Sequence, residues 1–192
     1  MLEKAVAELK PASGQPLVPP VPQSRPPQCD QDSVTLHLVA RSLDGRGAWS
    51  DFPVEDWIVL SRPDVTNLLA MPKVSIGTAW DINPQLTTKL LTHFYPATEN
   101  NDVSKNKFER QSLRATVVSI NNGVARARLS GDLKMEHGFY HKPDGKFVEA
   151  TVTGFIDFNS SRKELHSLRL VTDEATYGGG KFAIALRSTE PK

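Results

Sequence analysis

Five histidines are the side chains of this sequence best suited to bind a metal or move a proton near neutral pH: His37, His93, His137, His141 and His166. His137 and His141 form an H-x-x-x-H pair, which on a helix would bring both imidazoles to one face. The residues around them alternate as a strand does, and four residues of strand separate the two backbones by roughly 13 Å. Such a pair chelates one ion only if the strand bulges, for instance at Gly138. His93 and His137 are then the pair that a helix packed on a sheet could bring together.

The other chemistry-bearing types do not converge. Glu55-Asp56 and Asp173-Glu174 fall at loop or strand ends, and Glu136 and Glu149 fall on a polar strand face, so no acid–base pair follows from spacing. No Gly-x-Ser-x-Gly elbow occurs. Gly178-Gly179-Gly180-Lys181 lacks the spacing of a phosphate loop and is expected to be a hairpin turn. Cys29 is the single cysteine, which excludes an intramolecular disulfide and leaves a surface thiol. No catalytic residue, metal or cofactor is expected. Aromatic residues gather at Trp49, Phe52 and Trp57 and at Phe94-Tyr95-Pro96. The candidate ligand-binding residues are therefore His93, Phe94 and Tyr95 at a helix end, with Met135, His137 and Phe139 on the facing strand.

These positions depend on a β-meander expected over Ser112 to Ser188. Ala125, Ala127, Leu129, Gly131, Leu133, Met135, His137 and Phe139 share one strand face, while Arg126, Arg128, Ser130, Asp132, Lys134 and Glu136 share the other. Lys142-Pro143-Asp144-Gly145 suits a type I turn, and a turn closed by Lys142 and Gly145 pairs Met135 with Val152, Leu133 with Gly154 and His137 with Ala150. Asn121-Asn122-Gly123 closes the preceding hairpin. A three-residue loop there turns Leu113, Ala115 and Val117 inward, and this is preferred to a two-residue loop that turns Val118 and Ile120 inward. A further strand carries His166, Leu168 and Leu170 on one face, and the last carries Phe182, Ile184 and Leu186.

Upstream, residues 1–10 suit a short helical stretch and Pro11 to Pro27 a proline-rich arm, so residues 1–32 are expected to be a disordered tether and 33–192 one α+β domain. Strands are expected at Val34–Arg41 and Trp57–Leu60. Ser61 with Pro63, and Asn83 with Pro84, are helix starts; the second helix runs to about His93 with the stripe Leu86, Leu90, Leu91 and Phe94. Pro96 to Gln111 is expected to be a long polar loop suited to contacting a partner.

The totals narrow the class. In 192 residues, 39% are hydrophobic and 23% charged, which is ordinary globular composition. A net charge of +1 gives no electrostatic ground for nucleic acid, and Arg126 and Arg128 then belong to a solvated strand face. No stretch approaches the ~18 apolar residues of a membrane span, and the first residues lack a signal-peptide core, which points to the cytoplasm.

Met71-Pro72-Lys73-Val74-Ser75-Ile76-Gly77-Thr78-Ala79-Trp80, and Gly154-Phe155-Ile156-Asp157-Phe158 followed by Leu165-His166-Ser167-Leu168-Arg169-Leu170, resemble a recurring pattern in bacterial β-rich domains of no known activity, often from exported proteins. The resemblance spans roughly Ser33 to Ser188. It implies no functional residue and an extracytoplasmic or tethered setting.

Together these features lead to an α+β fold: a curved, mainly antiparallel meander, half-barrel-like, packed by one main helix. The expected function is a non-catalytic domain that binds a protein partner or a small apolar ligand. The alternatives are a metal protein or enzyme using histidines near the 96–111 loop, and a purely structural domain of a larger protein.

Overall fold

A computed structural model describes residues 26–30, 32–43, 47–48, 54–71, 73–96, 102–137 and 145–189. The expected arm up to residue 25, Trp49, Phe52, Phe139, His141 and the Lys142-Pro143-Asp144 part of the turn lie outside the described residues. In chain order the elements are β1 (Val34–Ser42), β2 (Val54–Leu60), α1 (Arg62–Leu68), β3 (Ala79–Asp81), α2 (Pro84–Leu91), β4 (Lys107–Asn121), β5 (Val124–Glu136), β6 (Phe147–Asn159), β7 (Glu164–Tyr177) and β8 (Gly180–Ser188). Among the described residues the eight strands form one open antiparallel sheet in the order β2-β1-β8-β7-β6-β5-β4-β3. Two helices, rather than one main helix, accompany it, and the 3₁₀ turn Val103–Lys105 leads into β4.

Period-two alternation decides which face is inside. On β5, Ala125, Ala127, Leu129, Leu133 and Met135 are buried and Arg126 and Arg128 exposed, as expected. The register against β6 is not the expected one. Met135 faces Val148, Leu133 faces Ala150 and Leu129 faces Gly154, a slip of four residues, so that Glu136 and Phe147 close the ladder. An even slip keeps every side chain on its own face, which is why the hydrophobic pattern alone could not detect it.

The β4–β5 hairpin combines both alternatives. Its turn has two residues, Asn122 at φ 50° and Gly123 at φ 78°, between the paired Asn121 and Val124. A register shift between Val117 and Ser119 makes Val118 the extra residue of a bulge, which restores Leu113, Ala115 and Val117 to the inside. A second bulge on β7 pairs Leu165 rather than His166 with Phe158 and leaves His166 exposed, correcting its expected inward position. The expected long loop ends early as well, because Lys107 already pairs with Glu136.

Both helix starts follow their sequence signals. Ser61 accepts a hydrogen bond from the Asp64 amide while Asp64 accepts one from the Ser61 amide at 2.8 Å, a capping box that opens α1. Asn83 Oδ1 accepts from the amides of Gln85 at 2.9 Å and Leu86 at 3.3 Å, and Pro84 sets the first turn of α2. Lys89 Nζ reaches Asp64 Oδ2 at 2.6 Å, tying one helix to the other, and Trp80 Nε1 donates at 3.0 Å to the carbonyl of Leu68, the last residue of α1. The helices bury Val65, Leu68, Leu86, Leu90 and Leu91, which join Phe94 and the inner residues of the strands in one core cluster.

Candidate functional site

Inner-face pairing can be followed rung by rung across all eight strands: Trp80, Ala115, Leu129, Gly154, Leu170, Leu186, Leu38 and Asp56. Seven of these are uncharged, and the row ends on a carboxylate. A carboxylate on the packed face of a sheet needs a partner. His93, just past α2, supplies it, with Nδ1 donating to Asp56 Oδ2 at 2.7 Å, while the Trp57 amide donates to Oδ1 at 2.7 Å. Burial pushes the Asp56 pKa up, and these hydrogen bonds with the His93 charge outweigh it, so the group ends below the usual carboxylate value.

Three aromatic rings continue from this pair. Tyr95 stacks on His137 with ring centroids 4.4 Å apart, and Tyr177 meets the same imidazole edge-on at 5.8 Å. The Tyr177 hydroxyl donates to the His137 carbonyl at 2.8 Å. Asn106 Nδ2 donates to the Thr92 carbonyl at 2.9 Å, which turns Asn106 Oδ1 toward His137 Nδ1 at 2.7 Å and makes Nδ1 the protonated ring nitrogen in that bond. Burial, with the nearby Asp56 charge, pushes the Tyr95 phenol up to about 12. It therefore stays protonated at neutral pH and is unsuited to be a base there.

Of the expected ligand-binding residues, His93, Tyr95 and His137 do share one polar-aromatic cluster. Phe94 and Met135 are fully buried in the core and Phe139 lies outside the described residues. The seam between α2 and the sheet, the expected ligand cleft, is occupied by Leu86, Leu90, Leu91 and Phe94. Among the described residues no group of three or more His, Cys, Asp or Glu side chains is placed to hold a metal ion. Asp56, Asn106 and Tyr177 were not singled out as partners by sequence, because each lies 31 to 40 residues from the histidine it touches.

Because Asp56 has a lowered folded pKa, its contribution is complete above the unfolded value of about 3.9 and is lost as pH falls through the folded value. Asp56 is 39% exposed at its side chain, so solvent screening keeps the ion pair small, under about 1 kcal/mol. The Asp56→Asn variant is expected to be less stable than wild type in urea unfolding at pH 7, with the gap closing below about pH 4. A gap that widened on acidification would show that the carboxylate is not held in this pair.

The face of the sheet turned away from the core carries a second row. Thr116, Arg128, Phe155, Arg169, Arg187, His37 and Trp57 are successive partners across β4 to β2. His37 and Trp57 stack with centroids 4.3 Å apart, and His37 Nε2 lies 3.0 Å from Glu55 Oε2. Three other arginines on the sheet are neutralised: Arg126 makes a two-point pair with Asp157 at 2.7 and 3.0 Å, Arg114 pairs with Asp81, and Arg110 with Asp132, while Arg41 near the end of β1 is exposed and in no ion pair among the described residues. Arg128, Arg169 and Arg187 are exposed and make no ion pair among the described residues. The Arg169 charge is the smallest of the influences on the Asp157 carboxyl, which ends below its usual value chiefly through the Arg126 hydrogen bond.

Among the described residues no helix is long and apolar enough to cross a membrane. No protein-family model, curated protein or solved structure matches the chain.

Proposed function

We propose that this chain is a non-catalytic binding domain whose contact surface is the outer face of its sheet. One observation carries the proposal: Arg128, Arg169 and Arg187 stand in one exposed row without ion pairs among the described residues, beside the exposed ring of Phe155. Arg169 and Arg187 are directly opposite each other across β7 and β8. Like charges at such a position destabilise a sheet, so an anionic partner would relieve a repulsion that folding leaves in place.

The polar-aromatic cluster does not compete for this role. Its groups are engaged with one another: His93 with Asp56, His137 with Asn106, and Tyr177 with the His137 carbonyl. The arrangement ties the end of α2 to β2, to the entry of β4, to the residue after β5 and to the end of β7, which is the work of a structural clasp.

Titration of the full chain with poly-L-glutamate at low ionic strength, followed by calorimetry, tests the proposal. Saturable micromolar binding is expected, weakening as salt is raised and falling at least tenfold in the triple variant Arg128→Gln, Arg169→Gln, Arg187→Gln. All three side chains are exposed, so the variant keeps its core. Equal binding by the triple variant would remove the outer row from the function.

A further inference from the structure

The outer row borders an apolar strip. One rung along, Thr153 pairs with Val171, Val171 with Ala185 and Ala185 with Val39. Phe155 and Val171 are 44% and 43% exposed, and Ala185 is exposed beside them. Three guanidinium groups without an ion pair among the described residues thus line one side of a hydrophobic strip on the same face. Resting on the proposal that this face is the contact surface, we infer that its occupant is a short extended segment of a partner protein in which apolar side chains alternate with carboxylates.

Charge complementarity requires an anionic occupant, and the strip narrows it. Val171, Ala185 and Val39 are aliphatic or small and present no ring on which a base could stack. Phe155 is the exposed aromatic of the row, whereas His37 and Trp57 stack on each other. Single-stranded nucleic acid is held by repeated aromatic platforms combined with a strongly basic groove. With a net charge of +1, this chain has a local basic row and no basic excess overall. Arginine and aromatic residues around an apolar centre are instead the composition of a protein contact.

The size suits a peptide. From Arg128 on β5 to His37 on β1 the row crosses four strand spacings, about 19 Å, which about six residues of extended chain would cover. Carboxylates of that segment meet Arg128, Arg169 and Arg187, and its apolar side chains meet Phe155 and Val171.

Fluorescence anisotropy on the full chain, with three probes of equal charge, tests this inference: a peptide of repeating Glu-Glu-Leu, one of repeating Glu-Glu-Ser, and an oligothymidylate. The leucine peptide is expected to bind about tenfold more tightly than the serine peptide. The double variant Phe155→Ser, Val171→Ser is expected to erase that difference. Equal affinity of wild type for the two peptides would overturn the inference, and tighter binding of the oligothymidylate than of the leucine peptide would reassign the face to nucleic acid. Polyglutamate binding with no leucine preference would sink the peptide inference alone. Loss of polyglutamate binding itself would sink the contact surface.

Discussion

Replacing Gly154 by alanine is expected to cost about 3–5 kcal/mol, enough to consume a large share of the 5–15 kcal/mol typical of a folded domain. Gly154 lies on the inner-face row of β6, opposite Leu170 on β7. A Cβ built there would lie 2.9 Å from Leu170 Cα and would overlap the carbonyl oxygen of Arg169, all of them backbone atoms. A flexible side chain could swing aside, but two hydrogen-bonded strands cannot separate without losing ladder bonds. Gly131, one rung away on β5, meets Ser112 and Leu113 of β4 in the same way, with Leu113 Cα 3.1 Å from an added Cβ. The two glycines therefore mark where neighbouring backbones approach closely on the inner face.

Gly179→Ala supplies the control. At φ 87° with nothing within 4 Å of an added Cβ, it isolates the conformational cost of a left-handed residue, about 1–2 kcal/mol. Urea unfolding of both variants separates the causes. A loss at Gly154 no larger than at Gly179 would mean that the strands do not approach closely there.

The elements are legible in the sequence where the register is not. The strand faces, the two helix starts and the buried stripe of α2 follow from local rules that act over a few residues: alternation, a capping side chain, a proline. The β5–β6 slip, the Val118 bulge and the exposure of His166 do not, because each depends on how two strands meet after a turn or a kink. A slip of four residues leaves the apolar pattern unchanged, whereas a bulge shifts its phase by one residue at a place that alternation alone does not announce. The candidate site was legible to the same limited degree. His93, Tyr95 and His137 stood out as residue types, but Asp56, Asn106 and Tyr177 reach them through tertiary pairing. The outer row is subtler still: Arg128 and Arg187 are 59 positions apart in sequence, and they share a rung only when the observed registers of three strand pairs are composed. The same composition turns an unremarkable net charge into a local row of three cations.

Phe94→Ala is expected to lower stability by about 3–5 kcal/mol, against roughly 1 kcal/mol for Phe94→Leu. Phe94 follows α2 directly, is fully buried, and belongs to the core cluster with Leu90, Leu91, Leu129 and Met135. Removing the ring deletes its transfer free energy and leaves a cavity that backbone ladders on one side and a capped helix on the other prevent from collapsing. The same experiment decides what the seam between α2 and the sheet is. In a ligand cleft, Phe94 would be a lining residue already exposed in the empty protein, and its truncation would cost under about 1 kcal/mol while changing ligand uptake. In a packed seam the stability loss is large, and polyglutamate binding at the outer row is unchanged wherever the variant is still folded. Calorimetric unfolding with binding measured on the same sample distinguishes the two. A small stability loss would return the contact surface to the inner side; the large loss keeps the inner face as core and leaves the outer face as the surface that meets a partner.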